Sequence, residues 1–215
     1  MATQPNSNRS TGAAAASAPT MTFEHFAGVC ATITGLSSVL YAVFFLLVKG
    51  SLNTYLPSVF LALGGFLALP PLIAVYQRVR RAEEGFALWA LLLAAVGYLG
   101  TAAHAIFGLA AVMPKSIDVG SVKDLNPADP RGFLAFFVTG VATLIFAWLI
   151  QRSGAFPVEL AYVGYVLGAS VILLFLGNLV TGTNTNSLLV LIPGAVASLL
   201  ATPAWNLWLG LRLLQ

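Results

Sequence analysis

Residues Phe86–Met113 read FALWALLLAAVGYLGTAAHAIFGLAAVM, with no formal charge and a single histidine, His104, well inside the stretch. About 20 residues at 1.5 Å rise cross the hydrocarbon core of a bilayer, so this stretch reads as a transmembrane helix. Gly97, Thr101, His104 and Gly108 follow one another at spacings of four, three and four, which places them on one helical face. Leu, Ala, Val and Phe fill the remaining faces. A small and polar stripe on an otherwise apolar helix is expected to turn toward neighbouring helices.

The rest of the chain has the same character. Only 8 % of its 215 residues are charged and 59 % are hydrophobic, against roughly 25 % charged in soluble domains. So few charges cannot cover a water-exposed surface, and the mean hydropathy of +0.90 agrees. The expected fold is all-α: a polytopic membrane protein built as a bundle of six transmembrane helices. Hydropathy places the spans near 26–48, 56–76, 86–113, 132–150, 160–181 and 188–211, within a bundle covering 22–215. Residues 1–21 are mostly Ser, Thr, Ala, Asn and Pro and are expected to form a disordered tail. Short connections make successive spans antiparallel.

The net charge of +3 does not point to nucleic acid, because the ten cations are spread over loops and tails and form no groove. They bear instead on orientation. Arg9, Arg78, Arg80, Arg81, Arg152 and Arg212 fall at one end of a six-span bundle, and Lys49, Lys115, Lys123 and Arg131 at the other. The cation-rich side is the cytoplasmic one, so both termini are expected in the cytoplasm. The connection from Pro114 to Arg131 carries Asp118, Asp124 and Asp129 but lacks the spacing and glycine of a calcium loop, and reads as a solvated loop.

Two features interrupt regular helices. Pro70-Pro71 in the second span removes two backbone donors, so a kink or break is expected there. The sixth span carries Pro193 and Pro203. Small residues mark faces for close contact: Gly28, Thr32 and Gly35 in the first span, and the Gly164/Gly168 pair in the fifth.

Chemistry at membrane depth is sparse. No Asp, Glu, Lys or Arg lies deep in any span, and ion-coupled transporters usually place one there. The polar set is Tyr98, Thr101 and His104 on the third helix, Asn178 on the fifth and Asn206 on the sixth. Depth along the helices allows His104 and Asn178 to line one pocket open toward the non-cytoplasmic side, and keeps Asn206 out of it. The residues put forward for ligand binding are His104, Thr101, Tyr98 and Asn178. His104 has three readings: an inter-helix hydrogen bond, which is the expected one, a small-ligand or proton-relay site with Thr101 and Tyr98, or an axial ligand to haem or chlorophyll. The last requires Gly97, Gly100 and Gly108 to leave room for a flat macrocycle. Otherwise no cofactor is expected. The sequence holds neither a catalytic motif nor a metal-ligand set, and the lone Cys30 permits no intrachain disulfide.

Three groups of residues carry a resemblance. They are Ala27-Gly28 with Gly35 and Tyr41, the Arg78–Arg81 turn before Trp89, and the closing Pro203-Ala-Trp-Asn-Leu-Trp-Leu-Gly-Leu-Arg212. Over residues 26–215 the chain resembles a bacterial family of six-span membrane proteins classed as a domain of unknown function. The resemblance implies a bacterial inner-membrane location, and neither an activity nor any functional residue. The expected role is non-enzymatic: a bundle that binds a small ligand or lipid, or a subunit of a membrane complex. The bilayer, a membrane-protein partner or a second copy of the chain would be its partners. A small transporter or channel, and a haem- or pigment-binding redox protein using His104, stay open beside it.

Overall fold

The computed structural model describes residues 22–48, 52–110, 130–182 and 187–215. The tail expected to be disordered and nearly all of the connection from Pro114 to Arg131 lie outside them. Among the described residues there is no strand, and six stretches are long and apolar enough to cross a membrane. They are Phe23–Phe45, Tyr55–Val79, Glu84–Ala110, Pro130–Ser153, Val158–Thr181 and Leu188–Leu213. The chain is an all-α, multi-pass membrane protein.

Several helices begin or end beyond the limits that hydropathy sets, for local reasons. Helix α1 (Phe23–Leu47) starts early because the Thr22 hydroxyl caps it, accepting the His25 N–H at 3.2 Å. The second span is two helices, α2 (Leu52–Leu67) and α3 (Leu69–Val79), parted at Ala68 where Pro70 opens the new helix. That is the break the proline pair predicts. Helix α4 (Glu84–Ala110) starts on an acid that suits its N-terminal dipole. The fourth span opens with a short turn, α5 (Pro130–Gly132), passes through a π-helical segment (Phe133–Val138) and continues as α6 (Thr139–Ser153). Helix α7 (Val158–Thr181) is regular. The sixth span is α8 (Leu188–Ala195), a second π-helical segment (Val196–Ala201) and α9 (Thr202–Leu213).

The spans close into a ring in chain order: α1 packs on α2, α2 on α4, α4 on α6, α6 on α7, α7 on α8, and α9 returns to α1. Small residues set the closest approaches. A Cβ on Gly140 would lie 2.8 Å from the Gly168 carbonyl, and one on Gly168 2.8 Å from the Gly140 carbonyl, so α6 and α7 meet backbone to backbone. A Cβ on Gly65 would fall 2.9 Å from Ala102 N in α4, and one on Gly210 2.9 Å from the Gly28 carbonyl in α1. The small-residue faces expected on the first and fifth spans therefore make the contacts assigned to them.

The two halves of the ring interior differ. At the arginine-bearing end Val75, Val79, Phe146, Ile150, Leu160, Trp205 and Leu209 are fully buried and fill the axis. Ion pairs tie the helix ends there. Arg78 grips Glu24 through Nε and Nη2, both at 3.0 Å, and lies over the Phe156 ring at 5.1 Å. Arg152 reaches Glu83 at 3.0 Å. The opposite half is not filled in this way.

Gly168→Ala should lower stability by about 1–3 kcal/mol through overpacking against α6. Gly64→Ala should be close to neutral, since nothing lies within 4 Å of its added Cβ. Denaturant titration of the two purified variants in detergent checks the contrast, and equal losses would contradict it.

Candidate functional site: a central cavity in the half remote from Arg78 and Arg152

Because the filled core stops about midway along the ring, the other half encloses a cavity of about 490 Å³ to which all six spans contribute. Depth and face bring the expected residues together: Tyr98, Thr101 and His104 of α4 and Asn178 of α7 all line it. Asn206 does not. It is buried in the filled half and donates from Nδ2 to its own helix, at the Thr202 carbonyl, at 2.9 Å.

The remaining polar lining escaped the sequence reading. Thr34, Ser38 and Tyr41 come from α1, Thr139 and Thr143 from α6, and Ser198 and Thr202 from the last span. A signal was present: Thr34/Ser38, Thr139/Thr143 and Ser198/Thr202 are each four residues apart and so share a helical face. Most of these hydroxyls donate to a carbonyl of their own helix. Thr34 donates to Cys30 O at 2.9 Å, Thr101 to Gly97 O at 3.1 Å, Thr143 to Thr139 O at 2.8 Å and Ser198 to Gly194 O at 2.7 Å. With their protons committed, these oxygens can still accept a hydrogen bond. The Tyr41 and Tyr98 hydroxyls have no partner among the described residues. The His104 ring meets the Phe136 ring edge-on at 6.2 Å.

None of the described residues lining the cavity is an acid, a lysine or an arginine. Leu61, Leu167, Val171, Leu174 and Val190 make most of the wall apolar. Among the described residues no three His, Cys, Asp or Glu side chains come together as a metal site. The arrangement suits an uncharged molecule with a small polar group. An ion would find no opposite charge in this wall to offset its desolvation.

The room that a macrocycle on His104 would need is taken. A Cβ on Gly100 would meet Leu134 Cβ at 2.6 Å, one on Gly97 would run into Thr139, and one on Gly108 would meet Ser58 Oγ at 3.2 Å. These glycines admit the second and fourth spans, and the space expected beside them is helix contact.

Both π-helical segments border the cavity, through Ala135 and Phe136 in the first and Ala197 and Ser198 in the second. Such segments are frequent at functional sites. The second has a cause in the sequence. Pro203 has no N–H for the Leu199 carbonyl, and the Thr202 N–H bonds five residues back to Ala197 O. Pro193 likewise frees the Leu189 carbonyl, which lies against the bare backbone of Gly177. In the first segment the Thr139 N–H and hydroxyl both reach the Leu134 carbonyl, the hydroxyl at 3.2 Å. No proline interrupts residues 131–139, so nothing in composition signals it.

The chain matches no protein-family model, no curated protein and no solved structure.

Restoring a donor at position 203 should convert the second π segment to regular helix. Dropping one residue from the turn rotates α8 by about 100° relative to α9. In a Cys30→Ser background, Pro203→Ala should therefore change which single cysteines across residues 190–195 react with a membrane-permeant maleimide. An unaltered reactivity pattern would show that the proline does not set the register.

Proposed function

We propose that this protein is a non-enzymatic, multi-pass membrane protein that binds one small uncharged ligand in the cavity. The observation that carries the reading is the wall itself: all six spans contribute, the surface is mostly apolar, and among the described residues it carries hydroxyls, an amide and an imidazole with no charged group. At about 490 Å³ the volume falls among ordinary small-molecule sites, which run roughly 300–1,000 Å³. His104, Thr101, Tyr98 and Asn178 are the residues assigned to hold the polar part of the ligand. The Tyr98 hydroxyl, without a partner among the described residues, is the donor the ligand would engage first.

The arginines at the filled end support placing that end, and with it both termini, on the cytoplasmic side. The cavity then lies in the half away from the cytoplasm. The resemblance over residues 26–215 supports a bacterial inner membrane.

One observation favours transport as a second reading. The break at Ala68 and the two π segments give three of the six spans an interrupted ladder, and broken helices line transport sites in other bundles. Passage would require the plug of Phe146, Ile150, Trp205 and Leu209 to part. A flux assay in vesicles separates this reading from binding alone.

The test of binding is photolabelling of the purified protein with a diazirine-bearing long-chain alcohol. Crosslinks should concentrate on peptides holding Tyr98–His104 and Leu174–Asn178. Thr101→Phe and Ser198→Phe, which fill the cavity, should each reduce them at least tenfold. Labelling confined to lipid-facing positions such as Leu92 and Leu173, or unaffected by both substitutions, would sink the proposal.

A further inference from the structure

The ring is closed unevenly between its first and last spans. Helix α9 packs along α1 through Gly28, Gly35 and Gly210: a Cβ on Gly28 would meet Leu214 Cγ at 2.8 Å, and one on Gly35 would meet Leu207 Cγ at 2.8 Å. The second π segment still touches α1. Beyond it the contact stops, and among the described residues α8 forms no packed interface with α1. Instead α8 leans on α7, where Gly177 receives the Leu189 carbonyl. The cavity wall reaches this seam from both sides. On α1 it includes Tyr41 and Phe45, whose rings stack at 5.7 Å, and on α8 it includes Leu191 and Ala195. Phe45 is 54 % exposed and Leu191 47 % exposed, so both also face outward, where lipid lies.

From this geometry we infer that the cavity opens sideways into the bilayer between α1 and α8, and that its ligand is a neutral single-chain amphiphile taken from the membrane. This rests on the binding reading above. The interruption at Val196–Ala201 accounts for the opening: it lets α9 stay clamped to α1 while α8 diverges. At about 490 Å³ the cavity is of small-molecule size, which suits one chain with a small head. The described wall offers no opposite charge to a charged headgroup. The polarity of the wall orients the molecule. Asn178, His104 and Tyr98 would hold a hydroxyl-type head, while Leu167, Val171 and the Tyr41/Phe45 lip would take the chain. A water-soluble ligand would have no use for an apolar seam at membrane depth.

Access and occupancy can be measured separately in reconstituted vesicles. The diazirine-bearing alcohol is mixed into the bilayer and a light flash is given after increasing delays, so that the growth of labelling reports association. Ala195→Trp and Phe45→Trp narrow the seam and should each slow association at least tenfold. Phe45→Ala widens it and should speed association severalfold. The lateral route is overturned if all three variants associate at the wild-type rate while Ser198→Phe still abolishes labelling; the cavity would then be reached from the aqueous end. If Ser198→Phe labels like wild type, the binding reading itself fails, and the two failures are distinguishable.

Discussion

Apolar side chains gain little by leaving lipid for one another, so helices in a bilayer associate through close packing and through polar groups that find partners. This constraint shapes the whole molecule. At several of the joints between spans a glycine brings backbone against backbone or side chain: Gly140 with Gly168, Gly65 with Ala102, Gly210 with Gly28, Gly164 with the Trp205 ring. The large residues do a different task. They fill the space the glycine contacts enclose at the arginine-bearing end, where Phe146, Trp205 and Leu160 are fully buried. The ion pairs of Arg78 with Glu24 and Arg152 with Glu83 lie at helix ends, where water can reach them, so each contributes only modestly.

The cavity follows from where that packing stops. Nearer the opposite end threonines, serines, alanines and tyrosines are interspersed among leucines, valines and phenylalanines, and the side chains leave about 490 Å³ between them. Three spans also change their helical ladder near this level, at Ala68, at Phe133–Val138 and at Val196–Ala201.

Much of the fold was legible in the sequence because its signals are local. Uninterrupted apolar runs give the spans, Pro70-Pro71 gives the break, and Gly164/Gly168 gives a contact face. Part of the site was legible for an equally simple reason. Rise per residue converts sequence position to depth, and depth alone puts His104 and Asn178 at one cavity and keeps Asn206 away. What could not be read was which small residues face a void and which face a neighbour. Ser198 lines the cavity, whereas Gly97 and Gly100 are pressed against the fourth span, yet all three are small residues of the kind that sequence alone assigns to helix contact. Only the order in which the ring closes separates them. The second π segment was half-visible through Pro203, and the first was not visible at all, since a threonine hydroxyl competing for one carbonyl leaves no compositional trace.

The unequal filling of the ring also divides the molecule mechanically. Close-packed protein interiors are nearly incompressible. A half that encloses about 490 Å³ of loosely filled space is softer, because volume can be lost there without bringing bonded atoms together. Hydrostatic pressure acts on such voids and favours states that eliminate them. Lateral stress from the surrounding bilayer would concentrate its deformation in the same place. By this reasoning the filled end with its ion pairs is expected to be the stiffer part, and the compliance of the other half to depend on whatever occupies the space between the helices.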